Sequence, residues 1–385
     1  MSYKDDYSSY TFTIPSYKIY VENPYIEIER TKILHSFLHT YIQILKDYTR
    51  IEKKQIEIQK QILLFLVYIH NKNTEDPVLI SSVGEDVLEN IFMFLEKKVS
   101  KKELQEIDTR LKKECTKALS IMKNISFPTT KITIQKEENK KKREVILTLD
   151  NIRHIVPTKL YNKTKKQFTN PDKDFDTILF CLLIRYKAIY NYNTMQLAVP
   201  YNIYEVLHKK YNVSLELFGS AFNKYMPNYA GLFYDLEKDF GCRGNFMNIE
   251  LEKGFYVCNP PYEIYLIKLT YEKLLQTLDT TKEVTIFNVL PAWNNMFAKD
   301  IEKHCDKKEL KHFDIYNIYD TIFSSKYLVY HRLYCKKNFP FYHYLTDKYI
   351  PATHCHVFIL SNTKVDFTYI DTVLQPYKHC LSYKK

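Results

Sequence analysis

The sequence predicts an α/β protein in which a helical region precedes a sheet whose strands alternate with helices. From about residue 175 to 360, short apolar runs of strand length alternate with stretches of helical periodicity, which is typical of a sheet with helices on both faces. Between residues 31 and 127, apolar residues recur at spacings of three and four, which predicts helices. A length of 385 residues with 45% hydrophobic content allows two or three domains with a buried core.

The composition narrows the class of partner. The net charge of +11 favours a polyanion, and the 6 glycines argue against a glycine-rich phosphate loop. The 8 cysteines form no C-x-x-C pair, which predicts free thiols in a reducing compartment and no metal site. No secretory signal is recognisable at the start, and the longest apolar run, residues 62–69, is too short to cross a bilayer. We therefore expect no membrane partner.

The first 127 residues divide into an arm and a helical domain. Residues 1–30 contain many tyrosines and acidic residues without a sustained period, so we interpret them as an extended N-terminal arm. Residues 31–127 are predicted to form the helical domain, with apolar residues at helical spacing continuing to about residue 70. Two Ser-x-x-Glu capping boxes, beginning at Ser82 and Ser100, each predict a further helix.

Residues 128–174 combine alternating apolar residues with a charged segment, which predicts a basic β-hairpin and linker. Between residues 128 and 170 there are eleven Lys or Arg and four Asp or Glu, a local net charge of +7. This concentration favours a surface that contacts nucleic-acid phosphates, with Lys140, Lys142 and Arg143 as candidate contacts. A solvated charged loop is the alternative interpretation.

Residues 175–385 are predicted to form the sheet domain. After two helices, a short strand contains Glu216 and ends at Gly219 and Ser220, the general shape of a first strand that binds a cofactor. A later loop contains two of the six glycines and precedes Asn259. The use of scarce glycines in one loop predicts a close backbone approach.

The stretch after the next strand carries the clearest chemical pattern. Asn259-Pro260-Pro261-Tyr262 follows an apolar strand and precedes a helix that begins at Glu263, so it lies at a strand's carboxyl end, where open α/β sheets bind ligands. The Asn259 oxygen and the Pro260 carbonyl can each accept an N–H of a planar exocyclic amine, which aims the nitrogen lone pair outward. Tyr262 offers a stacking face worth roughly 1–3 kcal/mol per base. The pattern favours methylation of an aryl amine, and a proline-rich turn is the alternative.

The strand after that, at about residues 284–289, is followed by Trp293 and Asn294. Trp293 is the sole tryptophan, and it either forms a wall of a base or cap pocket or packs half-buried against the domain. Later strands complete the sheet. The triplet at residues 354–356, His-Cys-His, is not expected to bind a metal ion, because neighbouring strand residues point to opposite faces.

Four blocks of the sequence resemble, in order and spacing, the phosphorylated CTD-interacting factor family of cap-specific adenosine N6-methyltransferases. They are Arg185-Tyr186 with Gln196-Leu-Ala-Val-Pro200, Glu216-x-Phe218-Gly219-Ser220-x-x-Asn223, Phe240-Gly-x-Arg243-Gly244 and Asn259-Pro-Pro-Tyr262. The resemblance covers about residues 175–362 and implies a Rossmann-like class I methyltransferase core with an N-terminal helical domain. It also implies S-adenosyl-L-methionine as cofactor and direct methyl transfer to N6 of a 2′-O-methyladenosine beside the mRNA cap.

The resemblance implies a role for each matching position. The residues expected to hold the target adenine are Asn259, Pro260, Pro261 and Tyr262. The residues expected to bind the cofactor are Gln196, Pro200, Glu216, Gly219, Ser220, Asn223, Phe240, Gly241 and Arg243. The residues expected to bind substrate are Glu263, Trp293, Asn294, Lys140, Lys142 and Arg143. The implied partner is capped mRNA beginning with adenosine.

The sequence departs from the family pattern at several points, among them Gly219-Ser-Ala221, where Ala-Ser-Pro is common in the family. Cellular members carry a WW module that reads phosphorylated polymerase tails, and nothing in this sequence resembles one. Tyr262 replaces the family's usual phenylalanine. A compact, AT-biased homologue resembles those of large DNA viruses, which implies a cytoplasmic location, in viral factories or the virion, with other viral capping or transcription proteins as partners. A cellular homologue would be nuclear.

Other functions stay open. The same tetrad serves methyltransferases that act on adenine in DNA or within RNA, and enzymes that act on a glutamine amide, although the latter carry a D-x-G-x-G-x-G loop that is missing from this sequence. A non-catalytic RNA-binding subunit with a methyltransferase fold is a second alternative. A purely structural viral protein is a third, and measurable affinity for S-adenosyl-L-methionine would exclude it.

Overall fold

The computed structural model describes residues 2–5, 8–15, 17–18, 22–51, 75–95, 97–126, 132–189, 196–293, 318–344 and 346–384. The chain divides into two compact units. The sheet unit comprises Met1–Ile14, Thr194–Leu232 and Phe240–Lys385, and the helical unit comprises Pro15–Asn193 and Phe233–Asp239. The domain boundaries expected at residues 30, 127 and 174 stay predictions.

Among the described residues, the helical unit begins with α1 (Pro24–Lys46), α2 (Glu85–Phe94) and α3 (Lys101–Lys123). Helix α1 begins at Pro24 rather than near residue 31, because Asn23 accepts a hydrogen bond from the Tyr25 N–H and a proline fits the first helical position. The capping box at Ser100 is confirmed, with reciprocal bonds to Glu103. Of the helical pattern predicted up to residue 70, residues 52–70 lie outside the described residues.

A small antiparallel sheet follows, formed by β3 (Gln135–Asn139), β4 (Glu144–Leu149) and β5 (Ile152–Pro157), so the predicted hairpin gains a third strand. Helices α4 (Thr158–Gln167) and α5 (Phe175–Ile189) come next. His154 on β5 meets the ring of Phe180 on α5 edge to face, with the ring centroids 4.9 Å apart. This contact joins the basic hairpin to a buried helix.

The core of the helical unit contains a chain of buried ion pairs. Arg185 on α5 binds Glu27 through Nε at 2.9 Å and both oxygens of Asp235 through Nη1 at 2.7 Å. Arg30 also binds Glu27, and its Nε contacts the two oxygens of Asp76 at 3.0 and 2.8 Å. All five side chains are buried. Arg185 and Glu27 thus join α5 to α1, and both helices belong to the helical unit.

The sheet unit is built on seven strands: β7 (Leu215–Glu216), β8 (Asn228–Tyr229), β10 (Gly254–Cys258), β11 (Val284–Pro291), β12 (Leu328–Tyr334), β15 (Cys355–Ser361) and β16 (His379–Lys384). Their order is β16-β12-β15-β11-β10-β7-β8. Strand β10 is parallel to β7 and β11, and β7 is parallel to β8. Strand β15 is antiparallel to β11 and β12, and β16 is antiparallel to β12. Five strands therefore run in one direction, which confirms the predicted α/β class with a Rossmann-like sheet.

The core of the sheet unit explains the apolar character of its central strands. Strands β11 and β15 are buried along their whole length. The helices of this unit are α6 (Tyr201–Tyr211), α7 (Ile264–Thr280), α8 (Ile318–Phe323) and α9 (Thr368–Leu374). Some polar groups in the core pair with each other: the Tyr271 hydroxyl donates to Asn288 Oδ1 at 2.9 Å. The rings of His331 and His356 share a hydrogen bond of 3.0 Å, and burial lowers the pKa of both.

Two small sheets complete the sheet unit. Strands β1 (Ser2–Asp5) and β2 (Ser8–Phe12) pair with each other, and β2 pairs with β9 (Ile249–Leu251), so part of the predicted arm is sheet. Strand β6 (Leu197–Ala198) pairs with β13 (Phe341–His343), which pairs with β14 (Lys348–Ile350). The second of these sheets contributes to the candidate site.

The cysteines do not all follow the prediction of free thiols. Cys335 is disulfide-bonded, so the prediction is wrong at this position, because a disulfide partner is set by the fold and not by sequence spacing. The cysteines that are free and buried are Cys115, Cys181, Cys242, Cys258 and Cys355. Within the described ranges, no cluster of His, Cys, Asp and Glu is arranged to hold a metal ion. No helix in that part of the chain is long and apolar enough to cross a membrane.

Candidate functional site

The carboxyl ends of three adjacent strands carry predicted site residues. Strands β7, β10 and β11 are parallel neighbours. The chain continues from β7 to Ser220, from β10 directly to Asn259 and from β11 to Trp293. Parallel strands end at the same edge of a sheet, and ligands of open α/β sheets bind at that edge.

The tetrad is held by hydrogen bonds of its own side chains. Pro260 and Pro261 follow the end of β10, because proline cannot donate to a neighbouring strand. The half-buried Asn259 donates from Nδ2 to the Leu197 carbonyl at 3.4 Å, and the Tyr262 hydroxyl donates to Asn259 Oδ1 at 3.2 Å. These two contacts define the orientation of the amide, with its nitrogen towards β6 and its oxygen towards Tyr262.

Tyr262 contacts two other aromatic rings. Trp293 and Phe341 meet it at interplanar angles of 78° and 84°, and both centroid distances are 6.1 Å. Both contacts are edge to face, so neither ring stacks parallel to Tyr262. Burial raises the pKa of the Tyr262 hydroxyl well above its ordinary value, so this hydroxyl is protonated and acts as a donor. Trp293 is half-buried, which is compatible with both roles considered for it.

Glu263 follows the tetrad and caps helix α7. Its Oε2 accepts a hydrogen bond from the Leu266 N–H at 2.7 Å. Burial raises the pKa of Glu263 to about 7, in opposition to backbone hydrogen bonds from Leu266 and Tyr265 that lower it. A helix N-terminus ordinarily favours an ionised carboxylate. The raised pKa therefore shows that burial is the dominant influence on this carboxyl.

Ser220 organises the loop after β7. Its hydroxyl donates to Gln196 Oε1 at 2.6 Å, and its backbone N–H donates to Asn223 Oδ1 at 2.8 Å. The oxygens of both amides therefore face Ser220, and their NH2 groups have no hydrogen-bond partner among the described residues. Two amide donors beside the carboxyl end of a first strand can bind a carboxylate or another acceptor of a ligand.

One short segment connects this loop with the tetrad. Gln196 accepts the hydrogen bond of Ser220, and the next residue, Leu197, accepts that of Asn259. Leu197 also belongs to β6, which pairs with β13, the strand that contains Phe341. Consecutive residues thus contact both halves of the predicted site. The structure therefore brings Ser220 and Asn259 into one constellation.

Glu216 already has partners within the protein. Its Oε1 accepts hydrogen bonds from the Tyr225 N–H and, at 2.7 Å, from the Met226 N–H. The side chain is buried on β7. Glu216 therefore fixes the segment at residues 225–226 to the strand, and its role in cofactor binding stays a prediction.

The loop at residues 240–244 needs its glycines. Gly241 and Gly244 both have left-handed backbone conformations, with φ of +94°. A Cβ atom at Gly241 would lie 2.3 Å from the carbonyl oxygen of Pro227. The close approach predicted for this loop is therefore made to the protein's own backbone. Cys242 also pairs in parallel with Tyr229, which places the loop beside β8.

The other predicted cofactor residues are ordered by neighbouring strands. A Cβ atom at Gly219 would lie 3.2 Å from the Cβ of Tyr229, so β8 packs closely there. Arg243 donates from Nε to Asn228 Oδ1 at 3.0 Å. Phe240 and Pro200 are buried, and Pro200 precedes the first turn of α6. A direct contact of these residues with a cofactor stays a prediction.

The remaining predicted substrate residues do not belong to the constellation just described. Lys140, Lys142 and Arg143 are exposed in the turn between β3 and β4, within the helical unit. Asn139 stabilises this turn by accepting a hydrogen bond from the Lys142 N–H at 3.1 Å. Asn294 lies outside the described residues.

Two contributors to the site are not predicted from the sequence. Leu197 acts through its backbone carbonyl, which no side-chain pattern reveals, although it lies inside one of the four recognised blocks. Phe341 reaches Tyr262 from β13, and only the pairing of β13 with β6 brings that strand to the site. Apolar residues on a short strand carry no signal that separates packing from binding.

Known proteins match the part of the chain that carries the site. A family model described as "Phosphorylated CTD interacting factor 1 WW domain" matches residues 158–314, a range that includes every predicted site residue except those of the hairpin tip. Two curated relatives, from Homo sapiens and Mus musculus, are each named mRNA (2'-O-methyladenosine-N(6)-)-methyltransferase and are 30% identical to this chain over 131 residues. Over residues 158–314, this chain is similar to the phosphorylated CTD-interacting factor family.

The family model and the two relatives confirm the resemblance to the phosphorylated CTD-interacting factor family that the four sequence blocks carry. The aligned segment covers 32% of this chain and 19% of each relative, so the chain matches about a fifth of the length of these curated relatives. The large-virus origin stays a prediction.

Proposed function

We propose that this chain is an S-adenosyl-L-methionine-dependent methyltransferase that acts on N6 of the adenosine beside an mRNA cap, with the adenine held by Asn259, Pro260, Pro261 and Tyr262. The observation that carries the proposal is the segment at Gln196–Leu197. It links the loop after the first strand, where class I methyltransferases bind their cofactor, to the asparagine that would hold the amine.

The residues after β7 fit the proposed cofactor. S-adenosyl-L-methionine carries a carboxylate on its methionine part, and the amide nitrogens of Gln196 and Asn223 are donors beside the carboxyl end of β7. Ser220 fixes the direction of both amides. When bound, the cofactor would supply an electrophilic methyl group.

The tetrad fits an adenine amine. The lone pair of an aryl NH2 group is delocalised into the ring, so the amine is a poor nucleophile until its two N–H bonds are engaged. Asn259 Oδ1 has two lone pairs and accepts one bond from Tyr262, which leaves one position for an amine N–H. The Pro260 carbonyl would accept the second. The nitrogen lone pair then points away from both acceptors.

The choice of RNA as substrate follows from the relatives and the charge. Both curated relatives are named for N6 methylation of 2′-O-methyladenosine in mRNA. The net charge of +11 suits a polyanion, and the exposed tip of Lys140, Lys142 and Arg143 would contact its phosphates.

A substrate panel tests the proposal. The full chain is incubated with radiolabelled S-adenosyl-L-methionine and short RNAs that differ only in the cap and in the first nucleotide, A or G, with duplex DNA as a further arm. We expect label in N6 of the first adenosine of capped RNA and none in RNA beginning with G. Label in duplex DNA or at internal adenosines alone would contradict the cap-adjacent assignment. Cofactor binding without transfer to any arm would indicate a non-catalytic subunit.

A second comparison within the panel addresses the sugar. Capped RNAs that begin with adenosine or 2′-O-methyladenosine are methylated in parallel under single-turnover conditions. We expect faster transfer to the 2′-O-methylated RNA, since both relatives are named for that nucleotide. Equal rates would remove the 2′-O-methyl group from the proposed recognition.

A further inference from the structure

We propose that Tyr262 is a positioning residue whose hydroxyl holds the Asn259 amide in the orientation that presents Oδ1 to the target amine. This inference rests on the proposed function. It assigns the hydroxyl of Tyr262 a task separate from the stacking expected of its ring. The task is specific to a tyrosine, because phenylalanine at this position would supply the ring alone.

The hydrogen bonds of Asn259 favour one of its two amide orientations. In the observed orientation, Nδ2 donates to the Leu197 carbonyl at 3.4 Å and Oδ1 accepts from the Tyr262 hydroxyl at 3.2 Å. A half-turn of the amide would place Oδ1 against the Leu197 carbonyl, so that two acceptors would face each other. It would also turn an N–H group towards the position of the incoming amine. The Tyr262 hydroxyl therefore stabilises the orientation with an acceptor at that position.

Loss of the Tyr262 hydroxyl would leave the Asn259 amide with one weak hydrogen bond. The contact from Asn259 to Leu197 is long for an N–H···O bond, whose common length is about 2.9–3.0 Å. The contact from Tyr262 is the shorter of the two on this amide. Without it, the half-buried Asn259 side chain would populate other rotamers. Fewer molecules would then hold the amine at the moment of transfer.

The surroundings of Tyr262 keep the hydroxyl in place. Its ring contacts Trp293 and Phe341, each at 6.1 Å between centroids. Phe341 lies on β13, and β13 pairs with β6, where Leu197 holds the other end of the Asn259 amide. The same small sheet thus supports both hydrogen-bond partners. Burial keeps the hydroxyl protonated at neutral and moderately alkaline pH, so it can donate throughout that range.

Substitution of Tyr262 by phenylalanine, Tyr262→Phe, isolates the hydroxyl. We expect the single-turnover rate with capped RNA to fall about three- to tenfold, the effect of one neutral hydrogen bond. The dissociation constants for RNA and for S-adenosyl-L-homocysteine should stay within about twofold, because the ring and the cofactor loop are unchanged. The loss should also be the same from about pH 6.5 to pH 8.5. Tyr369→Phe, at a tyrosine that is 44% exposed, serves as the matched control and should transfer at the wild-type rate.

A double-mutant cycle separates positioning from other roles. The hydroxyl is also removed in an Asn259→Ala background, and the slow transfer is followed with excess enzyme. If Tyr262 acts through Asn259, the second substitution should change the rate by less than about twofold. The same three- to tenfold loss in both backgrounds would contradict the proposal, because the hydroxyl would then act independently of Asn259.

The Asn259→Asp background provides a second cycle if transfer by Asn259→Ala is too slow to measure. A carboxylate presents an oxygen in either orientation, so the loss of the Tyr262 hydroxyl should cost less than about twofold in this background. A three- to tenfold loss in the Asn259→Asp background, equal to that in the wild type, would overturn the inference.

The inference and the proposed function fail in different ways. If the wild type methylates no adenine substrate, the proposed function fails. If the wild type is active and Tyr262→Phe transfers at the wild-type rate, the proposed function stands and the positioning role is wrong. A drop in the melting temperature of Tyr262→Phe that accounts for its lost activity would also contradict positioning.

Discussion

Two clusters of polar residues in this chain each include a residue of a recognised sequence block, but they differ in what their atoms do. In the helical unit, Arg185 and Arg30 bind Glu27, Asp76 and Asp235, and every one of these side chains is buried and ion-paired. In the sheet unit, the tetrad and the loop after β7 contain neutral amides that use part of their hydrogen-bonding capacity.

This difference in hydrogen bonding distinguishes sequence blocks that stabilise the fold from blocks that can bind a ligand. Arg185 belongs to one of the four recognised blocks, as Asn259 does, yet its guanidinium is fully engaged with Glu27 and Asp235. Asn259 Oδ1 accepts one hydrogen bond and can accept another. A recognised block can thus either stabilise the fold or bind a ligand. The number of donors and acceptors that are not already used within the protein distinguishes the two cases.

The largest expected effect is a loss of stability when the buried ion pairs of the helical unit are broken. Arg185→Met would leave Glu27 and Asp235 without their main partner, and breaking a buried ion pair costs about 3–5 kcal/mol. We expect a loss of that order in the free energy of unfolding, measured by denaturant titration. Arg110→Met removes an exposed arginine that pairs with Asp47 and should cost less than about 1 kcal/mol.

A small effect of Arg185→Met on stability, combined with a large loss of RNA or cofactor binding, would contradict the distinction between the two clusters. The buried arginine would then serve a ligand, as the tetrad is proposed to do.

A smaller effect is expected where basic residues are exposed. Replacing Lys140, Lys142 and Arg143 with alanine should weaken the binding of capped RNA about tenfold near physiological salt, with no change in unfolding. The slope of log affinity against log salt should decrease by roughly 2, about 0.7 for each lost phosphate contact on a single strand. The matched control on α3 replaces Lys102, Lys112 and Lys113. An equal loss in the control would show that net charge, and not the hairpin tip, governs binding.

The smallest expected effect compares a buried carboxyl group, that of Glu27, with a half-buried one, that of Glu263. Burial favours a raised pKa for Glu27, yet Arg185 and Arg30 lower it, whereas burial raises the pKa of Glu263 to about 7. A raised folded-state pKa gives stability that is present below the ordinary value and lost as pH rises through 7. Because solvent reaches part of the Glu263 side chain and screens this shift, Glu263→Gln should gain only about 1 kcal/mol of stability relative to the wild type between pH 5 and pH 8.

The exposed Glu272 on α7 provides the control, and Glu272→Gln should show no such trend over the same pH range. A stability difference between Glu263→Gln and the wild type that does not change from pH 5 to pH 8 would show that Glu263 titrates as an ordinary carboxyl.

Sequence reasoning succeeded where short-range pattern determines structure. The proline pair fixes the end of β10, and the Ser100 capping box fixes the start of α3, because both act within a few residues. The order of the four blocks also predicted the resemblance that the family model confirms. The partners of Arg185, in contrast, come from distant segments, so its ion pairs could not be predicted from the sequence.

The candidate site likewise combines residues that the sequence predicts with contacts that only the fold determines. Asn259 and Ser220 were predicted as site residues, but their connection through Leu197 and Gln196 depends on strand pairing. The loop at residues 240–244 was expected to make a close backbone approach, and the group that it approaches is the carbonyl oxygen of Pro227. Glu216 is buried on its strand, and its carboxylate accepts backbone N–H bonds. Long-range contacts of this kind follow from the fold and cannot be derived from spacing.

The most direct test of the account measures what Asn259 does. For Asn259→Ala we expect single-turnover methyl transfer to capped RNA at least about 100-fold slower, since a hydrogen-bonding group at the reacting centre is lost. Affinities for RNA and S-adenosyl-L-homocysteine, and the melting temperature, should stay close to those of the wild type. Asn124→Ala, at an exposed asparagine after α3, should behave as the wild type in every assay. Methyl transfer by Asn259→Ala at the wild-type rate would contradict the central claim that this amide holds the target amine.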